Sequence, residues 1–284
     1  MDRMALLQTL SDLKPTRLGK FLYYCLPYRR RVVLSNMHLV FGSLLSPQEI
    51  KHLAQCFYSH LGLSLKENIG MRFMREDRLI EKARVVGHEI VLRLTEQKKG
   101  LLILTGHFGN WEFAPIAGIL NFKQFKGRFY FVRKTLKNKF LERLLFRRYY
   151  RAGLHVIPKR NSLNAVCEAL ENNHAVVFVM DQHASVHSKE GIMVDFFGKK
   201  AGTYRSLAML AKYTGAPVVP AQTYRDEQGQ HVLQFFDAIA FEEKEEWNKQ
   251  ETLIHNTRAY NEALERMILL HPDQWLWMHK RWKA

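Results

Sequence analysis

The chain has no long apolar run among its 284 residues. No stretch reaches the ~18 apolar residues that a transmembrane helix requires. The segment from Met4 to Leu10 is short, is interrupted by Gln8 and Thr9, and lacks the apolar core and cleavage site of a signal peptide. We therefore expect an N-terminus that belongs to the mature protein, and a chain that is either soluble or attached peripherally to a membrane.

Cysteine is scarce, and the three residues Cys25, Cys56 and Cys167 form no Cys-x-x-Cys pair. This argues against a disulfide framework and a zinc site, and favours a reducing, cytosolic environment. No other ligand cluster is apparent, so we expect no metal and no cofactor. Internal repeats, low-complexity segments and Pro/Ser-rich linkers are missing too. We expect a single domain over 1–284, with a helical N-terminal part at 1–75 and an α/β core at 80–284.

Acidic residues are few, 27 against 43 Lys and Arg, which gives a formal net charge of +16 and a pI of about 9.8. Such an excess indicates an acidic partner: nucleic acid, anionic lipid or an acidic carrier protein. Nucleic acid is the least favoured of the three, because the sequence has no zinc spacing and no RNA-binding signature, and its aromatic residues sit in apolar blocks.

Helical signals dominate the first 75 residues. Ser46-Pro47-Gln48-Glu49 is a capping box with proline at the first helical position. Apolar residues follow at helical spacing, which predicts a helix from Pro47 to Phe73; they are Ile50, Leu53, Phe57, Leu61, Leu65 and Ile69. Upstream, the apolar block from Phe21 to Leu26 precedes three arginines, which fits either a membrane-interface segment or a core helix with a charged end.

From about residue 83 the pattern changes to alternating strands and helices, which predicts an α/β fold with a largely parallel, mixed sheet flanked by helices. The expected strands are Val85–Val86, Leu101–Leu104, Phe129–Val132, Val176–Met180, Val218–Ala221 and Gln230–Ala238. In such a sheet, functional residues gather at the carboxyl ends of the strands.

One such strand end carries Gly106-His107-Phe108-Gly109-Asn110-Trp111-Glu112. With 13 histidines and 27 acidic residues, chance alone supplies about one His-x4-acid spacing, so the context matters more than the spacing. Gly106 and Gly109 allow close backbone approach, and a helix start near Asn110 would offer free amides. We expect His107 to be a general base for acyl transfer, with Glu112 fixing its tautomer and the amides stabilising the thioester oxyanion.

The segment from Gly106 to Glu112 resembles the signature of the bacterial lipid A biosynthesis (late lauroyl/myristoyl) acyltransferases, which belong to the lysophospholipid acyltransferase-like His-x4-Asp/Glu superfamily. Four further blocks agree in order: Phe131-Val132-Arg133 with Asn138, Met180-Asp181-Gln182, Asp195 to Ala201, and Pro272 to Lys283. The resemblance covers most of the chain. It implies a glycerolipid-acyltransferase-like fold and a membrane-associated O-acyltransferase at the cytoplasmic face of the inner membrane. Because no apolar run is long enough for a transmembrane helix, we expect its attachment to be peripheral.

The implied reaction moves a fatty acyl group from acyl carrier protein to a hydroxyl of a membrane glycolipid, most readily a lipid A precursor of lipopolysaccharide. Acyl-coenzyme A is the alternative donor. Familiar members begin with a transmembrane anchor and continue differently after Gln182, where this chain reads His183 to Glu190. A different acceptor, such as an aminolipid, another glycolipid or a polyketide-type lipid, and a non-catalytic membrane-binding role therefore stay open.

Other residues of these blocks have their own expected roles. Arg133 is expected to bind a phosphate or an oxyanion. Asp181 would orient Arg133 or a substrate hydroxyl, and Gly109, Asn110 and Gln182 would line the substrate site. Phe196-Phe197-Gly198 is expected to pack, or to form an acyl-chain wall, rather than to react.

Two basic and aromatic segments have alternative interpretations. The tail with Trp275, Trp277 and Trp282 lies either at a lipid headgroup boundary or in the core. A cationic stripe every four residues is either a solvated helix face or a surface for anionic lipid or acyl carrier protein; its members are Lys139, Arg143, Arg147 and Arg151.

Overall fold

The computed structural model describes residues 3–26, 28–133, 146–159, 162–187 and 190–283. Its α-helices are α1 (Arg3–Asp12), α2 (Arg17–Cys25), α3 (Arg30–Phe41), α4 (Pro47–Met71), α5 (Glu76–Glu81), α6 (His88–Thr95), α7 (Phe113–Asn121), α8 (Arg147–Arg151), α9 (Leu163–Glu171), α10 (Ser206–Thr214) and α11 (Lys249–Leu270). Its strands are β1 (Ala83–Val86), β2 (Leu101–Thr105), β3 (Phe129–Arg133), β4 (Leu154–Pro158), β5 (Ala175–Val179), β6 (Gly191–Phe196), β7 (Lys199–Tyr204), β8 (Val218–Arg225) and β9 (His231–Phe235).

Within these residues, seven strands form one sheet in the order β1-β9-β8-β2-β5-β3-β4. Neighbouring strands are parallel except for β8 and β9. The predicted α/β fold with a largely parallel, mixed sheet is therefore confirmed. Strands β6 and β7 form a separate antiparallel hairpin.

Both faces of this sheet are covered by helices. Along β2, Leu102 and Leu104 pack into one apolar cluster with residues of α3, α4, α9, α10 and α11. Leu101 and Ile103 point to the opposite face and pack with residues of α5, α6 and α7. This alternation follows from the two-residue period of a strand and explains why β2 is apolar at nearly every position.

Helix α4 confirms the predicted helix, and its Ser46 and Glu49 form both hydrogen bonds of the capping box. The apolar residues Ile50, Leu53 and Phe57 of its first half are buried, but Leu65 and Ile69 are exposed. The reason is geometric. Along a helix, each step of four residues rotates the side chain by about 40° beyond a full turn. Three such steps, from Phe57 to Ile69, therefore carry the apolar row away from the core.

The block from Phe21 to Leu26 is only partly buried. Tyr23 lies in the core, whereas Phe21, Tyr24 and Leu26 are exposed. Among the described residues, no helix is both long enough and apolar enough to cross a membrane.

Candidate active site

Neighbouring strands bring the central pair of the site together. Strands β2 and β5 are parallel, with Thr105 in register with Val179. His107 and Asp181 each follow two residues after that matched pair. Their side chains therefore meet at the carboxyl edge of the sheet, where function was expected.

Asp181 is the direct partner of His107. The Nδ1 atom of His107 lies 3.0 Å from Oδ1 of Asp181, and the backbone N–H of His107 donates to Oδ2 at 2.8 Å. Trp275 donates its indole N–H to Oδ2 at 2.9 Å. The hydrogen bond expected from Glu112 to the imidazole is thus made by Asp181, which is fully buried.

His107 and Asp181 each favour the charged form of the other. Burial alone would lower the pKa of His107, but the charge and hydrogen bond of Asp181 outweigh it and raise that pKa above its ordinary value. Burial alone would raise the pKa of Asp181, but its contacts with His107 and Trp275 hold that pKa well below its usual range. Asp181 is therefore ionised, and it fixes the Nδ1 proton of neutral His107 so that Nε2 keeps the lone pair of a base.

The Nε2 edge of His107 faces polar groups. The side-chain amide nitrogen of Gln182 lies 3.5 Å from Nε2 of His107 and 3.3 Å from Nε2 of His279. The ring of Trp111 packs edge-on to His107, with centroids 5.5 Å apart. The His107 side chain is 20% exposed, so a substrate can reach it.

Glu112 sits in the same site but has a different partner. It accepts a hydrogen bond from the hydroxyl of Tyr149 at 3.1 Å. Burial raises the pKa of Glu112 above its ordinary value, opposed by the Tyr149 hydrogen bond and by the positive charges of Arg133 and His107. Glu112 is therefore a half-buried carboxyl near His107 that adds to the negative potential around the imidazole.

Arg133 ends β3, on the far side of β5 from His107. Its guanidinium carbon lies 3.4 Å from the ring centroid of Phe146, which is a cation–π contact. Its charge acts on both Glu112 and Tyr149. A cation is thus held at the edge of the site, where an anionic group of a substrate would be attracted.

Gly109 and Asn110 shape the loop after β2. Gly109 has a φ of +52°, and a Cβ atom there would lie 2.5 Å from the carbonyl oxygen of Thr223. Asn110 is buried, and its Oδ1 accepts from the backbone N–H of Phe113 at 3.1 Å. Helix α7 therefore begins three residues later than expected, and the amides of Phe113 and Ala114 are bonded within the turn instead of facing a ligand.

The C-terminal segment forms part of the site. Trp275 and Trp277 are fully buried, so the headgroup-boundary interpretation is wrong for both, and the core-packed one is confirmed. The segment pairs with the loop: Leu276 donates its N–H to His107 at 3.0 Å, and Gly109 donates to Gln274 at 2.8 Å. Phe196 is also buried, against Trp275 and Trp282, as expected of a packing residue.

Sequence reasoning missed three contributors to the site: Tyr149, Trp275 as a donor, and His279. Trp275 and Trp277 are two residues apart, the spacing that puts both side chains on one face of an extended segment, and that signal could have placed the tail against the core. Of the cationic stripe, Arg147 and Arg151 are exposed on α8. Lys139 and Arg143 lie outside the described residues, as does Asn138. Within the described part of the chain, no group of three or more His, Cys, Asp or Glu side chains could hold a metal ion.

Similarity to known proteins extends over most of the chain. The family described as bacterial lipid A biosynthesis acyltransferase matches residues 9–284. The lipid A biosynthesis lauroyltransferase of Escherichia coli K12 is 26% identical over 272 residues, covering 94% of this chain and 83% of that protein. The palmitoleoyltransferase of the same strain is 25% identical, covering 95% and 83%. A phosphatidylinositol mannoside acyltransferase of Mycolicibacterium smegmatis is 23% identical over 77% of this chain and 68% of that relative.

Proposed function

Since the chain belongs to the bacterial lipid A biosynthesis acyltransferase family and is an O-acyltransferase, we propose that it acylates a hydroxyl of a membrane glycolipid. The donor in this proposal is a fatty acyl thioester of acyl carrier protein, and the favoured acceptor is a lipid A precursor. The observation that carries the proposal is the contact of His107 with buried Asp181, which leaves Nε2 of the imidazole as a base at an accessible edge.

The proposed chemistry is direct transfer. Nε2 of His107 takes the proton of the acceptor hydroxyl while the oxygen attacks the thioester carbonyl carbon. The tetrahedral intermediate then collapses to the ester, and the thiolate that leaves takes the proton back from Nε2. Asp181 stabilises the imidazolium during these steps, as the buried carboxylate of a catalytic triad does.

Glu112 and Arg133 are assigned supporting roles in this proposal. The negative charge of Glu112 raises the pKa of His107, so Glu112 favours the imidazolium that forms in the transition state. Arg133 offers a cation for a phosphate of the acceptor or for the developing oxyanion. Gln182 lies against Nε2, in a position to contact the acceptor hydroxyl.

We assign the membrane partner to one surface, the α4 stripe, formed by Leu65, Ile69 and Phe73. These side chains are 63%, 57% and 86% exposed and lie beside the exposed cations Lys66 and Arg72. Apolar side chains rimmed by cations suit an anionic lipid surface, here the cytoplasmic face of the inner membrane. The exposed Arg147 and Arg151 of α8 would favour the acidic carrier protein.

Lipid mass spectrometry tests the proposal. Total lipids of cells without this protein should contain a species that lacks one acyl group present in cells with it. The mass of the missing acyl group identifies the donor chain, and the affected species identifies the acceptor. With purified protein, acyl carrier protein thioesters should support transfer better than coenzyme A thioesters. A burst of acylated protein in intact mass spectra with donor alone would show a covalent intermediate and contradict direct transfer.

The His107→Ala variant separates catalysis from mere membrane binding. Its matched control is His255→Ala, because His255 also pairs with a carboxylate, Glu242, at 3.0 Å but lies on the surface. We expect transfer to be lost in the first variant and unchanged in the second. Wild-type rates in His107→Ala would rule out the proposed base.

Similarity to a phosphatidylinositol mannoside acyltransferase supports a second candidate, in which the acceptor is a mannosylated phosphoinositide. The same lipid comparison separates the two candidates. Accumulation of an under-acylated mannoside, with unchanged lipid A, would select the second.

A further inference from the structure

A buried polar cluster adjoins the site loop and takes no part in the proposed chemistry. Its centre is Glu67 of α4, which accepts from Arg225 through Nε, at 3.2 Å, and through Nη2. His231 places Nε2 3.3 Å from the same carboxylate. The side chains of Arg225 and His231 are 9% and 2% exposed, and that of Glu67 is 21% exposed.

Two routes connect this cluster to the loop that carries His107. In the first, Glu67 accepts directly from the side-chain amide of Asn110 at 2.9 Å. In the second, the backbone of Arg225 is bonded on both sides to the side chain of Gln274, at 2.8 and 2.9 Å. The carbonyl of Gln274 in turn accepts from Gly109 at 2.8 Å. The cluster therefore holds the chain two and three residues after His107.

The carboxylate of Glu67 is a permanent acceptor in this arrangement. Burial alone would raise its pKa, but hydrogen bonds from His231 and Arg225 outweigh burial and lower the pKa to about 2. Removing that charge would leave the buried Arg225 without the carboxylate to which it is hydrogen-bonded, and the structure would have to move to relieve it. A displacement of about 1 Å at a catalytic group can cost about a hundredfold in rate.

We propose that Glu67 is a positioning residue, which acts through Asn110 and Arg225 to keep the imidazole of His107 in line with the carboxylate of Asp181. Only the expected effect of Glu67 on the acyl-transfer rate rests on the proposed function. The geometry of His107 itself is measurable without any substrate.

The test compares Glu67→Gln and Glu67→Ala with a matched control, Glu265→Gln. Glu265 also pairs with an arginine, Arg258, accepts from the backbone N–H of Phe197 at 2.9 Å, and is 15% exposed. Glu265 does not belong to the buried polar cluster around Glu67. Thermal unfolding measures the structural cost of each variant, and nitrogen-15 NMR of the histidine rings, with His107→Ala for assignment, reports the tautomer of His107. Should Glu67→Ala fail to fold, Glu67→Gln, which keeps the side-chain shape, carries the test.

We expect wild type and Glu265→Gln to show a single tautomer with the proton on Nδ1, and the Glu67 variants to show a mixture. In the transfer assay, Glu67→Gln should lower kcat at least about tenfold with KM within about twofold, while Glu265→Gln leaves both unchanged. A Glu67→Gln spectrum identical to wild type, or equal losses of kcat for the two variants at equal loss of Tm, overturns the proposal. If wild type transfers no acyl group, the proposed function fails while the tautomer comparison still decides the role of Glu67.

Discussion

The chemistry of individual residues in this site depends on one buried carboxylate. Asp181 accepts from the imidazole and backbone of His107 and from the indole of Trp275. An acceptor in this position keeps the imidazole proton on Nδ1, so the lone pair stays on Nε2. Orientation and basicity of His107 are thus set by the same contact.

We expect Asp181→Asn to lower kcat about a thousandfold or more, because an amide N–H facing Nδ1 would move the imidazole proton to Nε2 and remove the base. Its pH profile should change as well. Asp181 raises the pKa of His107, and in the proposed mechanism the base is active when neutral, so wild-type activity should fall as pH drops through that raised pKa. Without the aspartate charge, that acid limb should move to lower pH. Steady-state rates across pH check both effects.

Asp195→Asn is the control for this substitution. Asp195 pairs with Lys200 at 3.1 Å, but the side chains of Lys200 and Asp195 are 65% and 41% exposed, and ion pairs open to solvent contribute little. Its activity and pH profile should match wild type. An acid limb in Asp181→Asn at the wild-type position would show that Asp181 does not set the pKa of His107.

The indole N–H of Trp275 also holds the carboxylate of Asp181. Trp275→Phe keeps an aromatic ring but removes the donor to Asp181, and a hydrogen bond to a charged group contributes about 1.5–3 kcal/mol. We expect kcat to fall about tenfold. Trp277→Phe is the control, because Trp277 is equally buried and donates to the backbone of Pro272 instead. Parallel losses of kcat and Tm in the two variants would argue against a role of the indole N–H.

Among the elements, the loop after β2 and the C-terminal segment form one unit. The loop is bonded to Gln274 and Leu276 on one side, and Thr223 of β8 donates to Phe108 at 2.6 Å on the other. Gly109 lies where the loop passes closest to β8. The backbone conformation of this one residue therefore matters for the whole unit.

We expect Gly109→Ala to destabilise the fold by more than about 2 kcal/mol, since an L-residue at positive φ costs about 1 kcal/mol or more and its Cβ would also collide with β8. Gly229→Ala isolates the first effect, because Gly229 has a φ of +79° and open space around it. Urea unfolding measures both changes. Equal destabilisation of the two variants would mean that β8 yields to the added methyl group.

Strands with apolar runs and a helix with a capping box could be predicted from the sequence, but two sheet features could not. Strand β4 carries His155 and Pro158 and lies at the end of the sheet order, where proline is tolerated because one side is unpaired. The β6–β7 hairpin turns at Phe197 and Gly198, both with positive φ. Phenylalanine is not a residue that this turn usually selects, so the pattern gave no hairpin signal.

The site shows the same division between local and distant information. The position of His107 at a strand end follows from local pattern alone. Its hydrogen bond to Asp181 spans 74 residues and depends on β2 and β5 being neighbours, which local spacing does not encode. Spacing therefore favoured Glu112, five residues away, as the partner.

For the whole molecule, the net charge of +16 and the placement of the α4 stripe would both favour binding to an anionic membrane. Helix α4 turns Glu67 inward to hold the site loop, and it turns Leu65 and Ile69 outward. A membrane bound to the stripe would thus lie against the helix that supports the site. Long-range attraction between cations and anionic lipid would bring the protein to that surface and weaken as salt rises.

We expect a Leu65→Ser, Ile69→Ser, Phe73→Ser variant to bind vesicles of equal parts phosphatidylcholine and phosphatidylglycerol roughly a hundredfold more weakly than wild type, since each buried apolar side chain contributes about 1 kcal/mol or more. The control replaces three comparably exposed apolar side chains elsewhere with serine: Leu163, Met209 and Tyr213. It should bind as wild type does. Vesicle sedimentation at low and high salt measures both. Equal binding by the two triple variants would show that the α4 stripe is not the lipid contact.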